Sequence, residues 1–173
     1  MTLLRAPFSL PAVAAKLRPA FEAQKHLLVP GACDPAAFEL PPFDPFFVAD
    51  RGRYEQAALA PLPELLAFAE AVSGLRLEHA WTRVIRLRPR SYALHLDDAL
   101  ARIERGVELM LDLSPDLGGP PVVWTSGLRV PQMPGLLALV ERTPTTYRHD
   151  RYLPESAGDA TVVRLRAAFT RVD

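Results

Sequence analysis

Residues 62–87 read LPELLAFAEAVSGLRLEHAWTRVIRL, and the period of their apolar positions changes midway. Leu62, Leu65, Leu66, Ala69 and Val72 recur at helical spacing, and Gly74 stands where a C-terminal cap belongs. Beyond it, residues 75–87 alternate as a strand does, and Pro89-Arg90 ends the run. The change of period divides the chain into a helical part up to about residue 74 and a strand-rich part from about residue 75.

Before this stretch, Ser9-Leu10-Pro11 predicts a helix capped by Ser9 that runs to about Gln24, with Val13, Leu17 and Phe21 on one face. A short strand is expected at 26–29, a helical turn at Asp34-Pro35, and a loop rich in proline and phenylalanine at 40–47. After the stretch, strands are expected at 91–97, 107–113, 121–125, 136–140, 146–152 and 161–170. Helices followed by about seven short strands predict one α+β domain over 1–173, its second half an antiparallel barrel or jelly roll.

Composition narrows the function classes. The chain has 173 residues, 49% hydrophobic and 23% charged, with a formal net charge of zero, so neither a basic footprint for nucleic acid nor a membrane span is expected. The start of the chain lacks the pattern of a cleaved signal peptide, and the expected location is cytoplasmic. One cysteine, Cys33, excludes an internal disulfide framework. Eighteen arginines stand against two lysines, so an arginine needs a positional argument before it carries meaning. Any imidazole chemistry must come from His26, His79, His95 or His149.

His95 and Asp97 lie two apart on a predicted strand, so both would project from one face. His149 follows on another predicted strand. Two imidazoles and a carboxylate are the donors of the facial triad that holds non-haem Fe(II) with open positions. With four histidines and ten aspartates, an H-x-D arises by chance in roughly one such sequence in four, so the surrounding pattern must carry the argument.

That pattern resembles the prolyl-4-hydroxylase-like branch of the 2-oxoglutarate/Fe(II) dioxygenases from His26 to the end of the chain. The residues that carry the resemblance are HLLVPGACDP at 26–35, the helix, glycine and strand leading into His95-x-Asp97, Gly118 to Ser126, and Met133-Pro134-Gly135 before the distal histidine. It implies a double-stranded β-helix (jelly roll) preceded by helices. It also implies iron on His95, Asp97 and His149, with 2-oxoglutarate and O2 as cosubstrates. A basic residue on the last strand would meet the far carboxylate of 2-oxoglutarate, and Arg164, then Arg166, are the candidates, both on one face of a strand. Tyr92 would border the site.

The implied activity is hydroxylation of a peptide or protein side chain, or of a small metabolite. Two features depart from the family pattern: the long interval from His149 to Arg164, and the acids Glu108 and Asp112 where a tyrosine is usual. Either an acid pairs with Arg166, or the other face of that strand points inward. The competing reading is a metal-binding jelly roll, cupin-like or a degenerate oxygenase, that binds or interacts without oxidative chemistry.

Overall fold

The computed structural model describes residues 3–49, 52–93 and 105–172. Among the described residues, three short α-helices, α1 (Pro11–Ala14), α2 (Arg18–Gln24) and α3 (Pro63–Ser73), accompany eleven strands. These are β1 (His26–Val29), β2 (Asp44–Val48), β3 (Gly52–Leu59), β4 (Leu77–Leu87), β5 (Tyr92–Ala93), β6 (Gly106–Asp112), β7 (Val122–Trp124), β8 (Arg129–Val130), β9 (Leu137–Arg142), β10 (Arg148–Asp150) and β11 (Val162–Arg171). The strands form one antiparallel ladder in the order β1-β9-β6-β11-β4-β3-β5-β10-β7-β8, with β2 paired to β3. The ladder folds back on itself and encloses an interior, so the expected jelly roll with flanking helices is the architecture found.

The helix at 63–73 forms as its periodicity predicts and ends on Gly74 at φ 69°, a left-handed cap conformation that glycine adopts without a Cβ clash. Leu65, Phe68, Ala69 and Val72 pack on the outer face of the large sheet against Val84, Leu109, Leu111, Leu165, Ala167 and Phe169. The predicted helix from Ser9 to Gln24 is instead broken into α1, a 3₁₀ turn (Ala15–Leu17) and α2. Pro19 has no N–H to bond back to Ala15, and no side chain caps α1, Ser9 included. The loop expected at 40–47 instead contains most of β2, which pairs with β3 in a hairpin. Residue 74 therefore does not divide the sheet, because β1, β2 and β3 come from the part expected to be helical.

Strands β6 and β11 are buried on both faces, and alternation sorts their side chains. Val107, Leu109 and Leu111 with Leu165, Ala167 and Phe169 face the helices. Glu108, Met110 and Asp112 with Arg164, Arg166 and Ala168 face the enclosed interior. Two apolar clusters flank this polar lining: Met110, Val122, Trp124, Val130, Ala138 and Val140 on one side, and Tyr54, Ile85, Leu87, Ala93, Leu153 and Val162 on the other. Trp124 thus belongs to the core.

Gly106 opens β6 where the strands approach so closely that a Cβ would stand 1.9 Å from the carbonyl oxygen of Phe169. Gly106→Ala is expected to lower stability by about 3 kcal/mol through forced displacement of β11, read as a lower urea midpoint.

Candidate buried charge site

The interior-facing positions of four strands carry charge. Arg164 and Arg166 sit two apart on β11 and are 0% and 2% exposed. Both donate to one carboxylate, that of Asp150 on β10, itself fully buried. Arg164 Nη1 bonds Asp150 Oδ1, and Arg166 Nη2 bonds Oδ2 at 2.5 Å. Arg164 Nη2 also donates to the Pro120 carbonyl at 2.7 Å. Beside them, Glu108 accepts from Arg142 Nη1 at 2.6 Å and from Arg148 Nε. Asp112 accepts the backbone N–H groups of Ser114 at 2.9 Å and Met133 at 2.8 Å, which holds the turn at Pro134-Gly135.

These contacts decide the alternative left open by the sequence. The inward face is the one carrying Glu108 and Asp112, and the hydrogen-bonding carboxylate partner of Arg166 is neither of them but Asp150. Burial pushes the Asp150 carboxyl upward, but the charges of Arg166, Arg164 and Arg148 outweigh it and hold the group well below the usual carboxylate range. For Arg166, burial and the nearby Arg148 lower the guanidinium to about 10, against support from Asp150 and Glu108, so it remains a cation at neutral pH.

The sequence-predicted site residues are distributed differently from expectation. His95 and Asp97 lie outside the described residues. His149 is on β10 between Arg148 and Asp150. Since those two side chains enter the interior, strand alternation sends His149 to the opposite face, where it is half-buried across from Val123. An interior metal site that includes His149 does not fit this strand. Tyr92 is corrected on the same ground: Ala93, paired with Asp150, faces inward, and Tyr92 turns outward beside Arg53. Arg164 and Arg166 do face the interior as expected, but Asp150 engages both, so neither presents an unengaged fork to a cosubstrate carboxylate. Among the described residues no three His, Cys, Asp or Glu side chains converge as metal ligands.

Of the remaining histidines, His79 bonds Thr82 Oγ1 at 2.9 Å and meets Phe169 edge-on, and His26 contacts the Gln24 carbonyl. Cys33 is buried, and burial with the nearby Asp112 pushes its thiol up to about 11. On the outer side of the sheet, Phe38, Leu40, Leu113, Val163, Arg86 and Arg88 line a cleft of about 640 Å³. Asp150, Arg148 and Arg142 were missed by sequence reasoning. The available signal was that two arginines placed inward on one strand require a buried counter-charge, and Arg148-x-Asp150 has the alternation to supply it.

Asp150→Asn leaves two buried guanidinium groups short of their counter-charge and is expected to cost about 3–5 kcal/mol at neutral pH. Because the folded carboxyl is depressed, this contribution is complete above the unfolded value of about 3.9 and is lost as pH falls below it. Urea midpoints of the two proteins should differ most at pH 7 and converge in acid.

No family model matches the sequence, and no curated protein matches it. Solved structures do match the fold. One is a 2OG-Fe(II) oxygenase family oxidoreductase from Burkholderia pseudomallei, with TM-score 0.66, 13% identity, and coverage of 92% of this chain and 91% of the other. A Pseudomonas putida prolyl-4-hydroxylase gives TM-score 0.62 at 14% identity over 92% of this chain and 100% of its own. The viral collagen prolyl hydroxylase of Paramecium bursaria Chlorella virus-1, solved as a 2OG complex, gives TM-score 0.61 at 12% identity over 87% and 98%. Among the described residues no helix is long and apolar enough to cross a membrane. The chain has the double-stranded β-helix fold of the prolyl hydroxylases and other 2OG-Fe(II) oxygenases.

Proposed function

We propose that this chain is an oxygenase-type jelly roll that serves as a binding or interaction domain without oxidative activity. The observation that supports this reading is Asp150 held between Arg164 and Arg166 in a closed interior. A cosubstrate carboxylate would have to displace Asp150 and leave it uncompensated in a dry environment, and breaking a buried pair in that way costs about 3–5 kcal/mol. The outward turn of His149 supports the same reading. The cleft at Phe38, Leu40 and Val163, with Arg86 and Arg88 paired to Glu55 at its rim, offers a partner or ligand an apolar floor with a charged edge.

A second reading, an Fe(II)/2-oxoglutarate-dependent hydroxylase acting on a peptide or protein side chain or a small metabolite, draws on His95-x-Asp97 in the sequence and on the fold. When bound, iron and 2-oxoglutarate would supply oxygen activation. For this chain, that reading requires Arg164 or Arg166 to exchange Asp150 for the cosubstrate.

Anaerobic Fe(II) titration of the wild-type protein, with and without 2-oxoglutarate, separates the two. The expected result is no visible charge-transfer band and no succinate formed on admitting oxygen. A saturable band with succinate production would establish the hydroxylase reading.

A further inference from the structure

The partners of Arg164 and Arg166 do not come from the strands hydrogen-bonded to β11. Three strands, β4, β3 and β5, separate β10 from β11 in the ladder, so Asp150 reaches its arginines across the enclosed interior. The arginines are set by β11 alone: positions two apart on one strand present their guanidinium groups to one side. Arg164 is steadied by the Pro120 carbonyl as well as by Asp150. Each arginine keeps a buried Nε–H with no acceptor. Ile85, Leu87, Val162 and Leu153 form an apolar wall on the same interior side. The arrangement is a dry, two-guanidinium receptor filled by a carboxylate that the chain itself supplies.

We propose that Asp150 is the tethered occupant of a carboxylate-binding site, and that a small free monocarboxylate takes its place when that side chain is removed. The proposal rests on the reading of the interior as closed to an external cosubstrate. Its chemistry is specific to shape as well as charge. Oδ1 and Oδ2 each serve one arginine, so the ligand needs two coplanar oxygens on one carbon, which formate has and a spherical chloride lacks.

Asp150→Ala removes one carboxylate from this site, and formate restores one. The variant is refolded from urea in sodium formate or in sodium chloride at equal ionic strength, and recovered protein is melted in both. Formate is expected to raise the recovery of folded variant and to raise its melting temperature by about 5–10 °C at a hundred-fold excess over Kd, with no such difference for wild type. Recovery and melting no better in formate than in chloride, whether recovery is high in both or nil in both, overturn the proposal. A charge-transfer band in wild-type protein would overturn the non-oxidative reading instead, so the two failures are distinguishable.

Discussion

The Asp150 carboxylate shared by two guanidinium groups is the interaction on which the interior depends. Three full charges with almost no access to water are tolerable only together, since any one left alone carries the full penalty of a buried ion. The pairing orients the whole of β10. With Asp150 inward, Arg148 must also be inward, where it meets Glu108, and His149 must face out. A three-residue strand with few ladder bonds gains a fixed register from its side chains, because a slip by one residue would bury the histidine and expel both charges.

The same logic explains why β6 and β11 tolerate charge although both their faces are buried. Their helix-facing residues are uniformly apolar and close the core beneath α3. Their interior-facing residues are charged except for Met110 and Ala168, and the acids and arginines brought together there need not lie on hydrogen-bonded neighbours. Glu108 reaches to Arg142 on β9 and Arg148 on β10, so the network ties β6 to its ladder neighbour and to a strand across the interior. In most interiors apolar packing alone would do this, and the ionic alternative adds directional constraint. The interior thus retains the shape of an oxygenase barrel while its inward-facing carboxylates, in the described residues, are each engaged by the chain's own donors.

Much of the fold was legible because local patterns and tertiary structure agree. The helix ending at Gly74, the strand at 26–29 and the strands at 107–113 and 161–170 follow directly from period and punctuation. The hairpin of β2 and β3 escaped because Pro45 and neighbouring phenylalanines obscure alternation, and β8 because two residues hold no period. The single helix expected at the start failed where Pro19 removes a backbone donor.

By itself the sequence determined the α+β class, the succession of α3, β4, β6 and β11, and the sharing of one strand face by Arg164 and Arg166, since all three follow from spacing along the chain. Only the tertiary structure decided which face of β10 turns inward and which carboxylate the arginines meet. Asp150 is fourteen and sixteen residues from its partners in the chain, yet it meets them across the fold rather than along a ladder. Such a contact depends on how the sheet closes and on a register that a single residue can invert, and no local period encodes either.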